Sequence, residues 1–380
     1  MRCQRRPRYM LSFDAKHFLA GSDAAEVEVY ENEVPSFIGS ELDRLYGTLY
    51  ASLAHFHACD GLAGVSTYVA RCNGTPAAVF LFHREADSVR VVNEGMRLDA
   101  AEVVRFARHM FAALPMTDVI EFHAVQTDAR QIPFLHQKAF CTEDFVVNLP
   151  PSPQEYLALL GPATRKNLKR HRNRLERDFP SFCYRILERS DADECRIRRI
   201  IELSRQRIAA KHVRFGIDEE ETRRIVRMVQ QSGLLLLAEI DDRIAGGTIM
   251  FRFERDCFSR VNAHDPAFDD HRLGMLCNYL AICHAIETGA ERFHLGHGWN
   301  DCKTALLGEV QPLHHLALYR SPGALARHAG AAVHTACKGY ALTANRWVLR
   351  HARMDSSLHW RMAGQLLAAL RAAKRSLRNR

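Results

Sequence analysis

Residues 262 to 303 hold several side chains that can accept a proton near neutral pH. Histidine titrates in that range, and a suitably placed carboxylate can do the same work, so both types can serve as a general base towards an ammonium or hydroxyl. His294 falls on a predicted core strand, where a packed, hydrogen-bonded ring is expected. No H-E-x-x-H or similar spacing joins these residues, so no metal site is predicted. The candidates for the base are Asp265, Asp301, His264, His294 and His297.

A predicted helix beginning at Gly274 adds an anion site. The first backbone N–H groups of a helix have no partner inside the helix, and the helix dipole favours negative charge there. Gly274 would let the backbone approach a phosphate closely, and Arg272 could add a charge-assisted hydrogen bond. Leu273 and Met275 flank the glycine. The sequence therefore predicts phosphate binding over residues 272–275.

The elements that must position these residues form a hairpin, a third strand, a helix and a fourth strand. Apolar runs separated by turn residues predict the strands, and helical periodicity closed by Gly289 predicts the helix. A further short strand is predicted after them. The predicted ranges are Leu234–Ile240, Ile244–Phe253, Cys257–His264, Gly274–Thr288, Arg292–Leu295 and His315–Tyr319.

The same order of elements is predicted earlier in the chain. Its strands and helix are Thr67–Cys72, Ala77–His83, Ser88–Asn93, Asp99–Leu114 and Val119–Ala124. Residues 77–85 align without gaps with residues 246–254, an offset of 169, and Val92-Asn93 meets Val261-Asn262 at the same offset. Internal duplication is the economical explanation. The first-half helix starts at Asp99, a good N-cap but a poor neighbour for an anion, so chemistry is expected in the second half.

Helices are predicted around the two repeats. Helical periodicity covers Glu41–Ala58. Ser152, Pro153 and Glu155 make a strong helix start, with a break expected near Gly161-Pro162. Two more helices are predicted over Asp191–Ala210 and Asp218–Gln231, and an Ala-rich basic helical tail from Pro322 onward.

Composition indicates a globular protein with concentrated positive charge. Of 380 residues, 47% are hydrophobic, and 52 basic residues face 44 acidic ones, giving a net charge of +8. The basic clusters are residues 165–177 and 361–380, which suit a polyanion such as a cofactor phosphate, RNA or an anionic lipid surface, or are solvated helix faces. Eleven cysteines without a C-x-x-C pair favour a reducing cytosol over a disulfide framework. No signal peptide or membrane span is predicted.

The second half resembles the CelD-like GNAT family, named for cellulose-biosynthesis proteins, and the FemAB-like transferases of peptidoglycan bridge synthesis. The resemblance covers about Val146 to Tyr319, and more faintly Ala63 to Ala124. It rests on four segments. They are the basic R-x-N-x-x-R motif at Arg165–Arg170, the hairpin at Asp242–Gly247, Asp265–Phe268 followed by Leu273-Gly274, and the segment with Gly298, Asp301, Lys303 and Gly308.

This resemblance implies a fold of two tandem GNAT-like domains, an α/β (α+β) architecture with mixed, mostly antiparallel sheets flanked by helices. It implies that the backbone N–H near Asn262 polarises the reacting carbonyl and that Lys303 stabilises the oxyanion. Residues His271–Leu276 depart from the R/Q-x-x-G-x-G/A phosphate pattern, because the first position is histidine and the last is leucine. The expected domains are residues 1–145, degenerate and structural or acceptor-binding; 146–321, the acyltransferase; and 322–380, the basic tail.

Three functions follow as alternatives. The first is transfer from acetyl-CoA or another acyl-CoA to an amine or hydroxyl of a cell-envelope or polysaccharide-related acceptor, in the cytoplasm or peripherally at the inner face of the membrane. The second uses aminoacyl-tRNA, whose phosphates the basic helices would follow. The third is a non-catalytic GNAT scaffold that binds nucleic acid or anionic membrane through its basic clusters.

Overall fold

The computed structural model describes residues 26–209, 215–298 and 300–354. The first half contains β1 (Glu26–Tyr30), α1 (Ile38–Tyr46), α2 (Leu53–Ala58), β2 (Ser66–Cys72), β3 (Thr75–Arg84), β4 (Ser88–Val91), α3 (Ala100–Ala113), β5 (Val119–Val125) and β6 (Leu135–Asn148). The second half contains α4 (Pro153–Leu159), α5 (Pro162–Asp178), β7 (Cys183–Glu188), α6 (Glu194–Ala209), α7 (Glu219–Ser232), β8 (Gly233–Ile240), β9 (Arg243–Phe253), β10 (Asp256–His264), α8 (Leu273–Glu287), β11 (Arg292–His294), α9 (Asp301–Ala305), β12 (Glu309–Tyr319), α10 (Pro322–Arg327) and α11 (Ala329–Met354).

All of these strands join one 12-stranded sheet, in the order β1-β2-β3-β4-β5-β12-β6-β11-β10-β9-β8-β7. Neighbours are antiparallel except for β4 with β5 and β10 with β11. Each half therefore has the predicted hairpin, third strand, helix and parallel fourth strand. The mixed, mostly antiparallel α/β architecture predicted from the sequence is confirmed.

The two halves exchange strands at the centre of the sheet. β12, from the end of the second half, lies between β5 and β6 and pairs with both. β6 runs from residue 135 to 148 and so passes through the domain boundary predicted at 145/146. Pairing along both edges joins the halves into one continuous sheet.

Separate hydrophobic cores pack on the faces of the sheet. In the second half, α4, α5 and α8 enclose one core around Tyr156, Met250 and Phe293. On the other face α6 and α7 enclose a core around Ile200 and Phe251, and this core also takes Leu49 and Ala58 from the first half. Residues near 50 therefore reach the second half, which becomes important at the site.

Most predicted element positions agree with the structure, with two corrections. The helix predicted over Glu41–Ala58 is two helices, because Gly47 adopts a left-handed φ of +51° and ends α1. The strand predicted over His315–Tyr319 begins at Glu309. Ser152 caps α4 by accepting from the Glu155 N–H, and α5 starts at Pro162, as predicted. Tail residues 355–380 lie outside the described residues.

Candidate active site

A fork opens between β10 and β11. The two strands pair at only three positions, ending with Phe258 opposite His294. Beyond that point β10 continues to His264 paired with β9, whereas the N–H of Leu295 bonds to the carbonyl of Phe145 on β6, 2.7 Å away. A register shift at Arg260 adds to the divergence. The third and fourth strands of the second half therefore splay apart beyond Phe258 and His294.

Helix α8 begins at the open end of this fork. Arg272, its N-cap, has a left-handed φ of +54° and makes no side-chain capping bond. Arg272 is exposed, whereas Leu273 and Gly274 are buried and Met275 is half-buried. A Cβ on Gly274 would lie 2.5 Å from Nδ1 of His264. The glycine therefore admits the histidine ring, a reason that sequence reasoning did not anticipate.

His264 and Asp265 build the turn that leads into α8. The His264 Nε2 is 2.7 Å from an Asp269 carboxylate oxygen. Asp265 accepts from the Ala267 N–H at 3.0 Å and so caps the short helical turn that follows. Asp301 is exposed in the first turn of α9. Two of the predicted bases, His264 and Asp265, thus make hydrogen bonds that stabilise the turn before α8.

Lys303 lies on α9, beside the loop that follows β11. Its Nζ donates to the carbonyls of Gly296 and His297, each at 2.7 Å, and lies over the Phe145 ring. Burial lowers the pKa of Lys303 to about 8, against the opposing effect of Asp144 and Glu143. A lysine held by two carbonyls fixes the loop at the mouth of the fork.

The Cys302 thiol, on α9, lies in a positively charged environment. Burial raises the pKa of the Cys302 thiol, while the Asn278 side chain, Lys303, Arg207 and Arg272 lower it. Arg207 comes from α6 and donates to the Asn262 carbonyl at 3.0 Å. Sequence reasoning missed Arg207, because only the fold brings α6 to β10. The Asn262 side chain itself donates to Thr248 at 2.9 Å.

The basic face of α5 adjoins this positive region. Burial lowers the pKa of His171 on α5, and the charges of Arg170, Arg272 and Arg174 lower it further. The cluster is partly neutralised, since Arg172 and Arg174 make i,i+4 ion pairs with Glu176 and Asp178. Lys166, Lys169 and Arg170 are exposed. Positive charge therefore extends from the start of α8 along α5.

His294 lies at the base of the fork between two carboxylates. Its Nδ1 is 2.6 Å from Asp144 and its Nε2 is 3.5 Å from Asp256, and its ring stacks on Phe258. Burial lowers the pKa of His294, but the bonds to Asp144 and Asp256 outweigh it and the net change is upward. Asp256 also accepts two bonds from Arg292. His294 is packed and hydrogen-bonded, as its predicted core strand suggested.

His297 stands on the other side of Lys303, where the first half meets the loop. Its Nδ1 is 2.7 Å from the Glu143 carbonyl, and its ring stacks against Tyr50 at 6.0 Å between centroids. Tyr50 in turn contacts His55. Sequence reasoning missed Tyr50 and His55, since no motif marks them.

One group outside the fork has metal-ligand types, namely Asp87, Asp118 and His328. Both carboxylate oxygens of Asp118 already accept from Arg327, at 2.6 and 2.5 Å. An ion there would have to displace that guanidinium. The group therefore adds no metal chemistry to the fork.

Comparison with known proteins agrees with this geometry. Residues 162–304, from α5 to α9, match the family model described as an acetyltransferase (GNAT) domain. The comparison with curated proteins gave no match. Solved structures align with about three quarters of this chain. FemX aligns with a TM-score of 0.58 at 9% identity, over 78% of this chain and 98% of that chain. A conserved protein of unknown function from Bacteroides thetaiotaomicron gives 0.50 at 11% identity, over 77% and 100%. A tandem GNAT protein from the clavulanic acid biosynthesis pathway gives 0.39 at 11%, over 78% and 99%.

The family match supports an enzyme of the acyltransferase class, and the FemX alignment supports the GNAT-type fold. The family match covers the fork, α8 and Lys303. Among the described residues, no helix is long and apolar enough to cross a bilayer.

Proposed function

We propose that the chain transfers an acyl group from acetyl-CoA or another acyl-CoA to an amine or hydroxyl acceptor. One observation carries this proposal: the fork opens beside a helix start that has the exposed Arg272 as its N-cap and no side-chain capping bond, while Arg207 and Lys303 bind backbone carbonyls of Asn262 and Gly296 on the two sides of the fork. An elongated thioester with phosphates at one end suits such a site, because the helix start and the cations attract the phosphates while the fork admits the thioester arm.

Roles for the predicted residues follow from that placement. Residues 272–275 and the backbone at Asn262 would hold the donor, and the N–H groups on the unpaired edge of β10 would polarise its carbonyl. Lys303 would act in part by fixing the loop beside the carbonyl. His264, Asp265 and Asp301 remain candidates for proton transfer, although His264 and Asp265 already hold the turn before α8.

The acceptor and the location are proposed from the family resemblance. CelD-like and FemAB-like proteins suggest a cell-envelope or polysaccharide-related acceptor, bound in the cytoplasm or at the inner face of the membrane. Residues 146–321 would form the transferase domain. Residues 1–145 would form the structural or acceptor-binding partner, followed by the basic tail.

A second donor is favoured by one specific feature, the exposed basic side chains of α5 that continue from the start of α8. They would suit the phosphates of an aminoacyl-tRNA. A scaffold without catalysis would use the same surface for nucleic acid or anionic membrane.

Thermal unfolding with acetyl-CoA, longer acyl-CoAs, free CoA and aminoacylated tRNA separates these possibilities. We expect the midpoint to rise with acyl-CoA concentration, as for any ligand that binds only the folded state. Arg207→Ala should raise the apparent Kd for acyl-CoA, obtained from the concentration dependence of the midpoint, by about tenfold or more. A charge-assisted contact contributes about 1.5–3 kcal/mol.

Arg185→Ala provides the matched control. Arg185 is an exposed arginine on β7 paired with Glu239, away from the fork, so the shift should be unchanged. A shift with tRNA alone, abolished by RNase and by salt, would assign the second donor. The third possibility, a non-catalytic scaffold, would be supported by two results together. No thioester or tRNA would shift the midpoint, and charge reversal on α5 would abolish polyanion binding.

A further inference from the structure

The loop after β11 holds one histidine in a defined tautomer where the two halves meet. The Nδ1 of His297 lies 2.7 Å from the Glu143 carbonyl, and the Thr142 hydroxyl is 3.4 Å from the same nitrogen. A carbonyl can only accept, so Nδ1 carries the hydrogen. In the neutral ring Nε2 then keeps its lone pair, and His297 is exposed.

The loop that carries this ring begins where the fork opens. Gly296, the preceding residue, has a left-handed φ of +74°, and a Cβ on it would lie 3.5 Å from the Ser259 carbonyl of β10. Ser259 is the first residue of β10 beyond its pairing with β11. Lys303 binds the carbonyls of both Gly296 and His297, so the direction of the loop is fixed from the second half.

The first half fixes the ring from the opposite side. Tyr50 stacks on it with an interplanar angle of 27°, and His55 packs edge-on against Tyr50. Burial raises the pKa of Tyr50, so its hydroxyl stays protonated near neutrality. The charged or titratable groups around this pair are Glu94, Asp144, Glu221, Arg260, His55 and Lys303.

We propose that Nε2 of His297 is the general base of the transfer, and that Tyr50, from the first half, is the positioning residue for its ring. The inference rests on the proposed function. As the acceptor nitrogen or oxygen bonds to the thioester carbonyl carbon, its proton passes to Nε2. The carbon–sulfur bond then breaks, and the imidazolium returns that proton to the departing CoA thiolate. Acyl-CoA and acceptor are thereby converted to acylated acceptor and free CoA.

The activity test measures thiol release from acetyl-CoA with water as the acceptor, between pH 5.5 and 9. We expect the wild-type rate to rise through one ionisation to a plateau. His297→Gln should lower the plateau about 100-fold, a typical contribution of general-base catalysis, and remove the ionisation. Tyr50→Phe keeps the stacking ring and should stay within about threefold. Tyr50→Ala should lower the rate but retain the ionisation, which a general loss of fold would not do.

Chemical modification provides a readout independent of turnover. Diethyl pyrocarbonate acylates unprotonated imidazole nitrogens, so peptide mass spectrometry should find His297 modified at pH 8 and protected by acetyl-CoA. His334, exposed on α11, serves as the reference histidine and His334→Gln as the control variant.

The possible failures are distinguishable. Absence of an acetyl-CoA thermal shift in the wild type would overturn the proposed function. An intact shift with His297→Gln turnover within threefold of wild type would overturn the base assignment alone. So would a His297 that stays unmodified at pH 8 while His334 reacts.

Discussion

The two halves differ at the place where the third strand leaves the fourth. In the first half the chain after β4 stays attached to β5, since Gly95 bonds to Ala124 and both Met96 and Leu98 bond to Gln126, at 2.7–2.9 Å. In the second half the equivalent strands β10 and β11 part after Phe258 and His294. The same order of elements thus gives a closed fork in one half and an open fork in the other.

The helix that follows each third strand also differs between the halves, at its N-terminus. Asp99 caps α3 by accepting from the Ala101 N–H at 2.9 Å. That places a carboxylate where an anion would bind. Arg272 precedes α8 with no capping bond and an exposed guanidinium. Closing the fork and capping the helix thus remove the anion site from the first half, whereas the second half keeps an open fork and a helix start without a side-chain cap.

The largest effect is expected from two aspartates that lie 169 residues apart, the offset of the sequence repeat: Asp256 on β10 and Asp87 in the turn before β4. Asp256 is 3% exposed and is held by Arg292 and His294, whereas the Asp87 side chain is 59% exposed. Asp256→Ala leaves the nearly buried His294 and the partly exposed Arg292 without their counter-charge and should cost about 3 kcal/mol of unfolding free energy. Asp87→Ala should change it by less than about 0.5 kcal/mol. Urea unfolding measures both, and equal losses would show that the burial and ion pairs of Asp256 add no stability beyond that of the exposed Asp87.

A smaller effect should follow from substituting Gly274. In Gly274→Ala the new Cβ meets the His264 ring, so the ring must move away from Asp269; overpacking of this kind costs about 1–3 kcal/mol. Gly330→Ala is the matched control, because nothing lies within 4 Å of a Cβ at that helical position, and it should stabilise the protein slightly.

The double variant Gly274→Ala/His264→Ala tells two roles of the glycine apart. If the glycine serves to admit the ring, removing the ring should restore both stability and the affinity for acetyl-CoA in calorimetry. If affinity stays low while stability returns, the glycine acts directly on the phosphate, as the sequence alone suggested.

The sequence was informative wherever the pattern was local. Alternating apolar runs, the caps at Ser152 and Asp218, and the repeated hairpins predicted most strands and helices and the GNAT-type fold. It was misleading at Gly47, because apolar spacing continued across a left-handed residue that ends the helix. Lys303 and the start of α8 could be located through a family resemblance.

The remaining site residues depend on contacts between distant segments. Arg207 reaches Asn262 across 55 residues, and Tyr50 meets His297 from the other half of the chain. No spacing rule connects such residues, since the strand exchange through β12 and the shared core around Leu49 bring them together. Gly274 was assigned to phosphate binding for the same reason, as the His264 ring beside it is visible only in the fold.

The smallest effect contrasts two histidines, each of which follows a phenylalanine on the fourth strand of its half. Bonds to Asp144 and Asp256 raise the pKa of the nearly buried His294 against the opposing effect of burial, and the bond to Glu94 raises the pKa of the half-exposed His123. A histidine with a raised folded-state pKa stabilises the protein fully below the unfolded value near 6.5. That contribution is lost as pH rises through the folded value.

The unfolding free energy of wild type relative to His294→Gln should therefore be larger at pH 6 than at pH 9, by about 1.4 kcal/mol for each tenfold increase in the proton affinity of the folded-state ring. His123→Gln should show a weaker dependence of the same sign, because solvent screens its ion pair. Urea titrations at the two pH values measure this difference. A steeper pH dependence for His123→Gln, or none for His294→Gln, would mean that the open fork does not rest on a charged histidine.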